Sequence, residues 1–288
     1  MSEILTPSKA ASRLTHQLNL FAEVHQAARF PVDVASVARE AAHLFQWSDP
    51  IVEVMAAPLK SFEGALFGND ERSLWMLLYN DQMPSKGRIR FTQAHELGHY
   101  VLHRSQRSRF ECAKDDMFKW ADGQAIEGEA NQFAANLLMP LDDFRQRVDG
   151  QSVSLDMLGE SAERYGVSLT AATLRWIGHT DESALAIASR DGFMLWAVPS
   201  RRALRNGAFF KTRTGHPVEI PQGSLANDAS IDHDKLGRAV ASRTWFPKAG
   251  DDFAIREMKL GSEQYDMTLT LLHLPRSAKA WPSYGEDD

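Results

Sequence analysis

Hydrophobic and polar positions follow two rhythms along this chain, and the change falls near Ser183. Before it, helical spacing dominates and predicts helices from Ser8 to Ala28 and from Asp33 to Leu44, the second opened by Pro31 and capped by Asp33. Ile51 to Ala56, Gly64 to Phe67 and Leu74 to Tyr79 read as short strands, the last followed by a loop from Asn80 to Gly87. After Pro140 the pattern is helical again. Leu155 to Tyr165 ends at a Gly166 stop, and Ser168 caps Leu169 to Ile177, an order resembling a helix-turn-helix. From Ser183 onward short strands take over. Ala184 to Ser189, an Asp191-Gly192 turn and Phe193 to Val198 form a hairpin, while Ala208 to Thr212 and Pro217 to Ile220 flank Thr214-Gly215 in similar style. Asp234 to Ser242 reads as a short helix and Tyr265 to Leu274 as a final strand. The expected class is α+β with two domains: residues 1–180, including a helical extension over about 141–180, and residues 183–288, a smaller mixed α/β domain with a central sheet.

Two helical segments carry more than a core-facing stripe. On a wheel of Phe91 to His103, residues Phe91, Ala94, Leu97, Gly98, Val101 and Leu102 form one apolar arc, and Thr92, His95, Glu96, His99, Tyr100 and His103 fill the adjoining arc. His95 and His99 stand four apart on one face, so both rings reach one tetrahedral zinc ion at about 2.0 to 2.1 Å. Glu96 projects about 100° further round, placed to take a proton from a water on that ion. A pattern with three fixed positions arises by chance in roughly one chain of this size in a hundred, so the histidines could also be solvated residues of a polar face.

The second segment, Ile126 to Pro140, bears on that choice. Ala130, Phe133, Ala134, Leu137, Leu138 and Leu141 make one apolar stripe with Glu127 inside it, whereas Glu129, Gln132 and Asn136 lie opposite. A carboxylate on a buried stripe costs several kcal/mol unless it is paired or binds a metal. Glu127 therefore calls for a cation, and Glu129 only for water. Asn131, one turn after Glu127, is placed to hydrogen-bond the back of a ligand and fix its orientation. The plainer reading of Glu127 is a first-turn carboxylate favoured by the helix dipole.

His-Glu-Leu-Gly-His followed by Ile-Glu-x-Glu-Ala-Asn-x-Phe-Ala-Ala-x-Leu-Leu-Met-Pro resembles the ImmA/IrrE-type metallopeptidases, with a looser likeness from Phe30 to roughly Gly178. The resemblance implies a zincin-like domain holding one Zn2+ per chain, with His95, His99 and Glu127 as ligands and Glu96 as general base. It also implies a cytoplasmic enzyme that cuts a specific helix-turn-helix transcriptional repressor and so switches on stress-response or mobile-element genes. The competing function is a catalytically silent zinc-binding regulatory partner acting by protein–protein interaction; an intact Glu96 argues against it. Zincin peptidases commonly pair substrate with an edge strand, and Leu74 to Tyr79 is the candidate, its alternative being an ordinary internal strand. Tyr79, Tyr100 and His103 are candidate donors to an oxyanion or leaving group. The metzincin continuation is absent, since Leu102 and Ser105 occupy its glycine and histidine positions. A deformylase-like site would need an upstream cysteine, whereas Cys112 lies downstream; it is a candidate inhibitory thiolate, because Arg104 to Gln124 joins the two site helices.

Composition narrows the classes further. With 288 residues and 43% hydrophobic content, the chain can build one sizeable core and a second smaller one. One cysteine excludes an internal disulfide framework, and Glu3, Lys9, Arg13 and Glu23 leave the first thirty residues without an export run. No stretch has the length to span a bilayer. A net charge of -6 provides no long-range attraction to nucleic acid, and the helix-turn-helix-like segment sets two arginines against three carboxylates, so direct nucleic-acid binding is not expected. His216, His233 and His273 have no partner at ligand spacing, which leaves sensing or partner binding for residues 183–288. Nothing in the residues sets the oligomeric state.

Overall fold

The computed structural model describes residues 5–58, 61–83, 85–112, 125–212, 215–250 and 252–281. The chain is mixed α+β and divides into two compact units, one from Met1–Asp149 with Ser161–Ser168, the other from Gly150–Glu160 with Leu169–Asp288.

In the first unit, α1 (Pro7–His25) starts where Thr6 Oγ1 accepts from the Lys9 amide, with Pro7 in the first turn, where its missing N–H costs nothing. α2 (Val34–Phe45) is capped by Asp33, which accepts from the Ser36 amide at 3.1 Å. Three strands follow: β1 (Ile51–Ala56), β2 (Gly64–Gly68) and β3 (Trp75–Tyr79). After α3 (Lys86–His103), capped by Ser85, comes β4 (Arg109–Cys112), then α4 (Ala125–Leu138) and α5 (Leu141–Val148). The sheet order is β1-β3-β2-β4, with only the β1–β3 pair parallel.

β3 is therefore internal, which rules out Leu74 to Tyr79 as the edge and leaves its alternative, an ordinary internal strand. Its backbone is hydrogen-bonded to β1 on one side and β2 on the other, leaving no row of free groups for a substrate. Its unbroken Trp-Met-Leu-Leu-Tyr run suits a strand flanked on both edges. Among the described residues the edges are β1 and β4.

The apolar arc of α3 meets Leu66, Trp75 and Leu77 of the sheet and Phe133, Ala134 and Leu137 of α4 in one core. Each fully buried Leu or Phe there stabilises by roughly 1.5–3 kcal/mol. This core fixes α3 between the sheet and α4, so its other arc faces the start of α4.

α6 (Leu155–Tyr165) contributes residues to both units. The second unit has α7 (Leu169–His179), β5 (Ser183–Arg190), β6 (Phe193–Pro199), α8 (Arg201–Arg205), β7 (His233–Ala241), α9 (Ser242–Trp245), β8 (Ala254–Ser262) and β9 (Met267–Leu274). Its antiparallel sheet runs β6-β5-β9-β8-β7, with β5 buried over Ser183–Ser189. The hairpin turn at Asp191-Gly192 has φ of 50° and 79°, the two positive values of a type I′ turn.

Two expectations fail in this unit. Residues 234–241 form an edge strand, not a helix, with Ser242 opening α9, because pairing with β8 from His233 to Ala241 outweighs the local preference of a segment exposed on both faces. Ala208 to Thr212 and Pro217 to Ile220 are not strands. The first leaves α8 through an Ala208 amide bond to the Ala203 carbonyl, and the second makes a single bridge between Glu219 and Phe193. Thr214 of the expected turn and residues 113–124 of the connection between α3 and α4 lie outside the described residues. Among the described residues, no helix is long and apolar enough to cross a membrane.

Candidate metal centre

α3 and α4 come together at Gly98. A Cβ there would stand 3.1 Å from both the Ala130 Cα and the Phe133 ring, so only glycine allows this approach without displacement. The close crossing brings the first turn of α4 opposite His95 and His99. His95 Nε2 and His99 Nε2 are 3.0 Å apart, and Glu127 Oε2 lies 3.1 and 3.3 Å from them. Ligands at about 2.0–2.1 Å from a tetrahedral zinc stand about 3.3 Å from one another. The triangle closes on that separation, and its donors are the nitrogen and oxygen types that zinc takes.

The charge states agree with the donor set. Burial pulls the His99 pKa down to about 4, so its ring is neutral near pH 7 and offers a lone pair. Burial pushes the Glu127 carboxyl up, but the hydrogen bonds with His95 and His99 outweigh it and hold the group well below the ordinary carboxylate range. A neutral His99 imidazole and an ionised Glu127 carboxylate thus stand beside His95.

Glu96 is wholly buried, and neither of its oxygens has a hydrogen-bond partner among the described residues. Burial first, then the charges of Glu127 and Glu111, push its pKa well above the usual value. It lies against β2, where a side chain at Gly64 would collide with Thr92 and come within 2.9 Å of Glu96 Oε1. Gly64 pairs with Tyr79 on one side and Cys112 on the other, and residues directly opposite in antiparallel strands project to one face. Tyr79, Gly64 and Cys112 thus make a row across the sheet, with the gap at Gly64 facing Glu96. Donor atoms of Cys112, His95 and Glu96 lie within 4.8 Å of one another.

Behind the triangle, each histidine is held through its other nitrogen. His95 Nδ1 is 2.9 Å from Asn131 Oδ1. His99 Nδ1 is 3.1 Å from His103 Nδ1, and His103 Nε2 is 2.8 Å from Glu129 Oε2. Phe110 of β4 stacks on His99, with ring centroids 4.6 Å apart. Tyr100 is committed elsewhere: its hydroxyl donates to the Asp49 carbonyl at 2.8 Å and its ring packs on Trp47 and Trp75.

Three contributors were not singled out from sequence. Glu129 reads as a solvated residue on its own helix, and it is half exposed, yet it ends a chain of contacts from His99. The continued four-residue spacing His95, His99, His103 was the available signal. Phe110 sits on a four-residue strand too short to announce itself, and Gly64 is legible only once β2 is seen against α3.

Residues 48–176 match the model of a peptidase family, M78, described as the IrrE N-terminal-like domain. No curated protein matches the chain. Among solved structures, a Mycobacterium tuberculosis transcriptional regulator is similar with a TM-score of 0.48 and 13% identity, over 94% of this chain and 82% of that one.

Proposed function

We propose that residues 48–176, which carry an IrrE N-terminal-like domain of the M78 peptidases, work as a zinc-dependent endopeptidase with Glu96 as general base. His95, His99 and Glu127 would hold the ion, which when bound polarises a carbonyl and makes a water more acidic. Glu96 accepts the proton of the attacking water and returns it to the leaving amine. Its two oxygens, without partners among the described residues, are available for both transfers, and its raised pKa brings it nearer the pH at which a base must also act as an acid. Asn131 holds the His95 ring in place. Tyr100 and His103 being engaged, Tyr79 is the remaining candidate of the three to stabilise the oxyanion, since it shares a sheet face with Gly64 beside Glu96.

With β3 internal, the site-side edge for strand addition by a substrate is β4, whose Phe110 and Cys112 already border the cluster. The expected substrate is a helix-turn-helix repressor in the cytoplasm, cut to release stress-response or mobile-element genes, with residues 183–288 serving sensing or partner binding. The carrying observation is the buried, unpartnered Glu96 beside the three-donor triangle. A silent scaffold has no use for such a group, which costs roughly 1–3 kcal/mol or more when left unpaired. Wild type and Glu96→Gln are to be incubated with proteins captured from the native cell. One fragment seen only with wild type, at equal zinc content, is the expected result; identical patterns would remove the peptidase reading.

A further inference from the structure

We propose that His103 and Glu129 form a positioning relay behind the metal centre, fixing which nitrogen of His99 faces the ion and in what plane its ring lies. The proposal rests on the zinc reading above. His99 Nδ1 and His103 Nδ1 are 3.1 Å apart, and two ring nitrogens at that distance share a hydrogen bond only if one carries a hydrogen and the other a lone pair. His99 Nε2 belongs to the triangle and must offer its lone pair there, so His99 Nδ1 carries the hydrogen and donates it. His103 Nδ1 is then the acceptor, which leaves the hydrogen of His103 on Nε2. That nitrogen donates to Glu129 Oε2 at 2.8 Å, the carboxylate accepting.

Each hydrogen in the sequence His99, His103, Glu129 is thereby assigned, with one direction throughout. The opposite direction would require a donating, protonated carboxyl on a side chain that is half open to water. His103 itself is 1% exposed, so no solvent replaces either of its partners. With both nitrogens used, it is not a donor to an oxyanion; its work is to hold His99. Phe110, stacked face to face on His99, restrains the ring out of plane while the relay restrains it in plane.

α4 thus serves both histidines. Asn131 backs His95 directly, and Glu129 backs His99 through His103, while Glu127 of the same helix completes the triangle. Groups that orient a metal-binding histidine in this way typically carry 10–100-fold in metal affinity.

The test is zinc affinity, measured by competition with a chromophoric chelator, on wild type, Glu129→Ala, Glu129→Gln and His103→Leu, with the metal-free melting temperature as the check on folding. Glu129→Ala and His103→Leu are expected to bind zinc about 10–100-fold more weakly. Glu129→Gln, whose amide oxygen still accepts from His103, is expected to recover most of the loss. A merely structural role would lower the metal-free melting temperature and leave the affinity unchanged. Wild-type affinity in folded Glu129→Ala would overturn the relay.

Should His103→Leu fail to fold, the half-exposed Glu129 position still decides. So does 15N NMR of wild type, where His103 is expected as the Nε2–H tautomer; the Nδ1–H tautomer would contradict the proposal. A wild type that takes up no zinc sinks both readings. One that binds zinc, shows the affinity losses and cuts nothing removes only the peptidase.

Discussion

Among the described residues two glutamates are wholly withdrawn from water, and the two units treat them in opposite ways. In the second unit Glu257 of β8 accepts from the Ala226 amide at 2.7 Å and from Trp245 Nε1 at 2.9 Å. Its pKa is raised by burial, with those hydrogen bonds pulling back. In the first unit Glu96 is equally buried and raised in the same direction, yet neither oxygen has a partner among the described residues. Burial alone therefore does not mark a working group. A buried carboxyl with both oxygens occupied ties a sheet to a loop and a tryptophan. One without partners, beside two imidazoles and a second carboxylate, stabilises nothing and needs a chemical reason to be there.

The largest expected effect separates the pair by activity. Glu96→Gln should cost about 10²–10⁴-fold in kcat/KM on an identified substrate while zinc content and melting temperature stay at wild type. Glu257→Gln should leave kcat/KM nearly unchanged. Full activity in the first variant would erase the distinction.

Stability should separate them the other way. Glu257→Ala leaves the Ala226 and Trp245 N–H groups without partners, at about 1–3 kcal/mol each, measurable by urea unfolding. Glu96→Gln has no partner to lose and should be neutral or slightly stabilising. Equal losses in the two variants would mean that Glu96 is also a tie.

Gly64→Ala sharpens the point on the Glu96 side. The added methyl meets Thr92 and Glu96, so a loss of about 1–3 kcal/mol is expected together with reduced turnover, because Glu96 must move. Stability at wild type would show that the gap beside Glu96 is slack.

The smallest effect concerns pH. The folded-state pKa of Glu257 is raised, so the folded protein holds that proton more tightly than the unfolded chain does. The stability it adds is fully present below the ordinary carboxylate pKa and is lost as pH rises to the folded value. Melting temperatures of wild type and Glu257→Gln across this window should therefore diverge in wild type's favour as pH falls. A constant difference would remove the shift.

The helical half of the first unit was legible because its signals are local. Asp33 caps α2, and the wheels placed His95, His99 and Glu127 on faces that the close crossing at Gly98 brings together. What escaped depends on partners distant in sequence. That β3 is internal follows from β1 and β2, not from Leu74 to Tyr79. β7 lacks alternation because both of its faces are partly open, and only β8 makes it a strand. Glu129 has the position of a solvated residue on its own helix; its role comes from His103, 26 positions away. Glu96 could be read as a base from the motif, but its lack of partners could not.

The most direct test of the metal centre is zinc K-edge X-ray absorption on the zinc-loaded protein. His95, His99 and Glu127 as ligands are expected to give nitrogen and oxygen scatterers at about 2.0–2.2 Å and no sulfur. A sulfur shell at about 2.3 Å would put Cys112 on the ion and contradict this ligand set, as would a protein that retains no zinc to measure.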